Sequence, residues 1–126
     1  MIIGIGIDVV HVERIRRWRH IEGLCDRFFH PEELAGALPR GETGILSLAA
    51  RFAAKEAFGK AIGSGFRHFA LREIAVLNDS NGKPFMMLTG RAEEAFKDFG
   101  GSRLVCSLSH EKDNALAVVI IEGGAA

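Results

Sequence analysis

The chain has 126 residues, 48% of them hydrophobic and 25% charged, which is enough length and apolar content to bury one core and excludes a disordered or low-complexity protein. The 16 basic residues balance 16 acidic ones, so bulk charge excludes a coat on nucleic acid or anionic membrane, and any charged partner has to meet a local patch. Cys25 and Cys106 are far apart, with neither CxxC spacing nor a disulfide framework, so a reducing cytoplasm and two small core thiols are the expectation.

The opening MIIGIGIDVV has no basic lead-in and meets Asp8, and the late apolar run ALAVVII is too short to span a bilayer; a soluble, non-exported protein is expected, a single domain over 1–126. Residues 2–10 alternate Ile3, Ile5, Ile7 and Val9 against Gly4, Gly6 and Asp8, the period of a strand, with the isoleucines on the packed face and Asp8 on the bare side. Residues 11–20 place Val12, Ile15 and Trp18 at helical spacing and send Arg14 and Arg17 to another face. A helical turn and a second short helix are expected around the break at Pro31.

From Ile45 to Ile62 there is no proline and much alanine, which predicts the longest helix, ended by Gly63-Ser64-Gly65. The runs REIAVLND and KPFMMLTG read as strands joined at Asn81-Gly82, a hairpin signal, with Pro84 opening the second strand where its missing N–H costs least. Residues 91–99 read as a surface helix, and RLVCSLSH and NALAVVIIE as a second hairpin. There is no internal repeat and no linker.

Within RFAAKEAFGKA (51–61) four charges sit on a helix that is otherwise alanine and phenylalanine. At 100° per residue Leu46, Ala50, Ala53, Ala54, Ala57 and Ala61 form one small-residue arc, with Arg51 and Lys55 to one side of it and Glu56 and Lys60 to the other. The plain explanation for Glu56 and Lys60 is a stabilising i,i+4 pair. For Asp8 it is an early helix cap or a salt bridge, although Asp is depleted in strands. Two carboxylates from separate elements beside a lysine, without a Cys/His cluster, equally suit a hard cation such as Mg²⁺, which completes its octahedron with water and phosphate oxygens. His110 either touches a phosphate or finishes its strand by hydrogen bonding. GIGID lacks the third glycine of a dinucleotide fingerprint, and GKAIGSG is not a phosphate-binding P-loop.

Taken together, GIGIDVVHVERI (4–15), RFAAKEAFGKAIGSG (51–65), NDSNGKP (78–84) and SLSHEKDNALAVVI (107–120) resemble the holo-acyl-carrier-protein synthase family, small 4′-phosphopantetheinyl transferases of fatty acid biosynthesis. The resemblance implies an α+β fold, mostly an antiparallel sheet of hairpins against one long helix plus short helices. It implies that Asp8 and Glu56 bind magnesium on the pyrophosphate of coenzyme A and that Lys60 assists phosphate binding and the leaving group. Arg51, Lys55, Pro84 and His110 fall on positions that resemble coenzyme A contacts. The Arg-rich helix with Arg14 and Arg17, by itself only a solvated face, matches the helix that meets the acidic carrier protein, and relatives form trimers with sites between subunits. Two departures stand out: the stretch from Pro39 to Gly44 lacks the basic lead-in common before the long helix, and Cys106 stands where a β-branched residue is usual.

The implied reaction is attack by a carrier serine on the β-phosphorus of coenzyme A, with Glu56 or a water as base and loss of the adenosine bisphosphate. Two other classes remain open on the sequence: a non-catalytic coenzyme A binding module, and a Mg²⁺-dependent nucleotide hydrolase, for which no water-positioning residue is identifiable.

Overall fold

A computed structural model describes residues 1–124. The chain runs β1 (Ile2–His11), α1 (Val12–Trp18), α2 (Leu24–Phe28), α3 (Pro31–Ala37), α4 (Glu42–Ile62), β2 (Ile74–Asn78), β3 (Pro84–Leu88), α5 (Gly90–Asp98), β4 (Gly101–His110) and β5 (Asn114–Gly123), with 3₁₀ turns at Leu38–Arg40 and Leu71–Glu73. This is the expected α+β class. A three-stranded antiparallel sheet has the order β1-β5-β4, and β2 and β3 form a separate hairpin.

Helix α4 is the axis of the molecule. It is buried on nearly every side, with Ile45, Leu48, Phe52 and Phe58 in the core beside the alanines 49, 50, 53, 54, 57 and 61. It starts at Glu42, three residues before the predicted onset, because Gly41 takes a positive φ (60°) that turns the chain out of the preceding 3₁₀ turn. It stops at Gly63, whose φ of 89° provides the left-handed cap that glycine adopts without strain.

The predicted facing of β1 is reversed. Ile5, Ile7 and Val9 are 64, 55 and 59% exposed, whereas Gly6 is buried and Asp8 half-buried, facing α4. The physical reason is space: a Cβ at Gly6 would collide with the carbonyl oxygen of Ala57, and one at Gly4 with that of Ala61. The helix backbone therefore lies directly on the strand, and only glycine permits that approach. A register shift between Ile2 and Gly4 accompanies the return of Ile3 to the core.

Strand β5 alternates cleanly, with Ala115, Ala117, Val119 and Ile121 buried and Leu116, Val118 and Ile120 on the opposite face. Cross-strand partners Ile5–Ile120, Ile7–Val118 and Val9–Leu116 extend the exposed isoleucine row across the sheet, and Val105 of β4 continues it from Ile120. One face of the sheet thus covers α4, and the other is an apolar band open to solvent.

Candidate active site

Asp8 leaves β1 on its glycine side and meets α4 one turn from its end. Lys60 Nζ lies 2.8 Å from Asp8 Oδ1 and 3.1 Å from the carbonyl of Ile7. The anticipated Glu56–Lys60 pair is not formed; Lys60 crosses to the strand instead. Nor is Asp8 a helix cap, since His11 holds the N-cap position of α1 without a side-chain cap bond.

Glu56, one turn before Lys60, points to the same region. Burial first, and then the negative charge of Asp8, push its carboxyl above the usual range, with Arg14 and Lys60 acting in the opposite direction. A carboxylate held half-buried beside a second one marks a place where positive charge is wanted. Lys60 supplies part of it, and the Asp8 hydrogen bond in turn raises its own pKa. Among the described residues no group of three or more His, Cys, Asp or Glu side chains could hold a metal. Asp8 and Glu56 as a pair of carboxylates fit Mg²⁺, which takes one or two carboxylates and fills its octahedron with water and phosphate oxygens, and do not fit a closed structural site.

Arg14 reaches this site from α1. Its guanidinium carbon sits 5.2 Å from the Trp18 ring centroid and 5.1 Å from that of Phe52. Phe52 is one turn before Glu56, and Trp18 also stacks on Phe28 at 4.8 Å, so an aromatic cluster fixes the arginine beside the carboxylates. Sequence reasoning assigned Arg14 to a docking face alone; the spacing of Arg14 and Trp18 on one helical turn was the available signal. Arg17 stays exposed, 3.8 Å from Glu13.

The remaining candidates lie elsewhere. Lys55, expected as a coenzyme A contact, is wholly buried and directs its ammonium into the core, to Glu33 Oε1 at 2.6 Å. Arg51 is half-buried, donating to the carbonyl of Val76 at 2.8 Å and to the Ser47 hydroxyl. It lines a cleft of about 220 Å³ of mixed charge, with Arg40, Ser47 and Asn78 but also Glu32 and Glu33. Burial first, and then the Arg40 charge, lower its pKa, while the Glu33 charge acts in the opposite direction. Pro84 opens β3, and His110 ends β4; neither forms a hydrogen bond or ion pair with Asp8, Glu56 or Lys60 within the chain. No helix among the described residues is long and apolar enough to cross a membrane.

A strand carboxylate and a helix carboxylate converge beside a lysine, on an α+β scaffold with one central helix. Comparison with known proteins makes the class definite. The family model described as the 4′-phosphopantetheinyl transferase superfamily matches residues 4–119, and the chain belongs to that superfamily, in its holo-[acyl-carrier-protein] synthase family. It is 51% identical over 123 residues to the holo-[acyl-carrier-protein] synthase of Treponema denticola, covering 98% of this chain and 100% of that protein. The crystal structure of the Neisseria meningitidis holo-[acyl-carrier-protein] synthase superposes with a TM-score of 0.86 at 38% identity, covering 97% of this chain and 99% of that one. The Helicobacter pylori synthase, solved in complex with coenzyme A, gives 0.79 at 30% identity over 94 and 99% of the two chains.

The raised pKa of Glu56 fixes the sign of a stability effect. The folded chain holds this proton more tightly than the unfolded chain, so stability falls as pH rises from the ordinary 4.5 through the raised folded value, and the loss is complete above it. Glu56→Gln should therefore raise the melting temperature of the metal-free protein at pH 7, and the gain should vanish at a pH where both states are protonated. Calorimetry across that range is the check; a melting temperature lowered at pH 7 would contradict it.

Proposed function

We propose that this chain, acting as one domain over 1–126, transfers the 4′-phosphopantetheine group from coenzyme A to a serine of apo-acyl carrier protein. The products are holo-acyl carrier protein and adenosine 3′,5′-bisphosphate, and the reaction depends on Mg²⁺. The observation that carries this is the convergence of Asp8, Glu56 and Lys60 across the β1–α4 contact; the family of the chain supplies the substrates. We place the activity in the cytoplasm, in fatty acid biosynthesis.

Asp8 and Glu56 would hold the Mg²⁺, which when bound offsets the charge of the coenzyme A pyrophosphate. Lys60, already tethered on a strand carbonyl, turns its ammonium to the leaving phosphate and opposes the charge developing there. The serine oxygen bonds to the β-phosphorus, the bond from that phosphorus to the bridging oxygen breaks, and the adenosine bisphosphate leaves. The hydroxyl proton passes to Glu56 or to a water. Arg51, with Arg40 in the same cleft, binds a phosphate of coenzyme A. Lys55 contributes through position rather than contact.

An acidic carrier docks on α1, where Arg17 is free to reach it and Arg14 links the docking face to Glu56. The exposed apolar band of β1, β5 and β4 is covered by further copies of the chain in a homotrimer, which brings Pro84 and His110 to a site shared between subunits. An uncovered row of Ile5, Ile7 and Val9 is the support for that assembly. In sedimentation the wild type should run as three copies and Ile7→Asp as one; a monomeric wild type would refute the trimer.

Transfer is tested by weighing the carrier after incubation with coenzyme A and Mg²⁺. The expected result is a gain of one phosphopantetheine, a loss of at least about 10³-fold in rate for Asp8→Ala or Glu56→Ala, and a carrier KM raised far more than the coenzyme A KM for Arg14→Glu/Arg17→Glu. Coenzyme A binding without transfer, hydrolysis without carrier, or an active Asp8→Ala variant would overturn the assignment.

A further inference from the structure

The most elaborate polar network in the molecule is not at the site. Lys55 has no exposed surface, and its ammonium has four acceptors: Glu33 Oε1 at 2.6 Å and the carbonyls of Phe28, Leu71 and Ile74 at 2.9, 3.2 and 2.7 Å. Glu33 is as deeply buried; its Oε1 also accepts from the His30 N–H at 2.8 Å and its Oε2 from the Val76 N–H at 3.0 Å. Strand β2 pairs with β3 along one edge only. Its other edge is closed by side chains, with Ile74 O taken by Lys55, Val76 N by Glu33 and Val76 O by Arg51. One lysine of α4 thus ties together the end of α2, the start of α3, the Leu71–Glu73 turn and the start of β2.

Apolar packing does not explain why the chain keeps such a pair. A buried ion pair contributes little net stability compared with apolar residues of similar volume, and its better-supported use is to specify one arrangement among several. Helix α4 needs that. Its contact with β1 is glycine against alanine backbone, and the β5 face turned to it carries Ala115 and Ala117 before Val119 and Ile121. Where strand glycines and alanines meet helix alanines there are few knobs to stop the helix turning or sliding, and the larger Phe52 and Phe58 pack on the rings of Trp18 and Phe69. The ammonium of Lys55, by contrast, keeps its acceptors at only one rotation and one height.

We propose that the Glu33–Lys55 pair is a positioning device of the transfer site, setting the rotation and height of α4 and through them the direction in which Glu56, the next residue and about 100° around the helix, meets Asp8. Resting on the function proposed above, it adds two positioning residues that touch neither metal nor substrate. It also accounts for Lys55 lying in the site motif while facing away from the site.

The test is Glu33→Leu/Lys55→Met, which removes both charges and keeps the volume apolar. Its unfolding midpoint should fall, because backbone groups of Phe28, His30, Leu71, Ile74 and Val76 lose their partners, so the readouts are taken well below that midpoint. Mn²⁺ binding to the coenzyme A-loaded protein, followed by electron paramagnetic resonance, should weaken about tenfold or more, and kcat should fall by a similar factor, while carrier KM stays within about twofold. Wild-type Mn²⁺ affinity and kcat in the double variant would overturn the proposal, as would a wild type that binds no Mn²⁺. Should the double variant not fold, Glu33→Gln keeps an acceptor for Val76 and must still weaken Mn²⁺ binding; unchanged binding there overturns the proposal too. A wild type that binds Mn²⁺ but never modifies the carrier refutes the transferase reading and leaves the positioning role intact.

Discussion

The rest of the structure depends on one close approach, the backbone of α4 resting on β1 at Gly4 and Gly6 without side chains between them. This contact puts Asp8, on the glycine side of the strand, within reach of Lys60 and close enough to Glu56 to raise its pKa. It also forces the isoleucines of β1 to the opposite face, where they lie exposed. Site geometry and the apolar outer face are therefore two results of one steric requirement. A bulkier residue in the strand would separate the carboxylates and redistribute the apolar surface at once.

The charges on α4 divide by what surrounds the helix. Toward β1 and α1, Glu56 and Lys60 remain partly open, bounded by Arg14 and the Trp18–Phe28–Phe52 cluster. Toward α3 and β2, Lys55 is desolvated and compensated by a full set of acceptors, which offsets the cost of burying its charge. Arg51 lies between these regimes, bound to the backbone on one side and lining a cleft of mixed charge on the other. Neighbouring positions on one helix thus differ in surroundings: half-open beside Asp8, sealed among acceptors, and lining a cleft.

Much of this was legible in the sequence. Strand and helix boundaries came within a few residues, because alternation in NALAVVIIE, the Asn81-Gly82 turn and the alanine-rich run each leave a local signature. The facing of β1 was not legible, since alternation gives two faces and the usual preference buries the larger apolar side chains; here the helix needs the smaller ones. The roles of Lys55 and Glu56 were not separable on a helical wheel, which gives directions but not the neighbours that lie there. Glu33 left no signal beyond its place in a capping box with His30. Cys106 packs against the core from β4, as a small apolar residue would.

The β1–α4 contact holds Asp8 close to Glu56, and the Glu56 carboxyl reports it directly. Its pKa can be read by carbon NMR titration of metal-free wild type and Gly6→Ala. The account predicts a value above the ordinary 4.5 in the wild type that drops back toward it in Gly6→Ala, as the added methyl lifts the helix and admits water. A folded Gly6→Ala protein with the wild-type Glu56 pKa would contradict it.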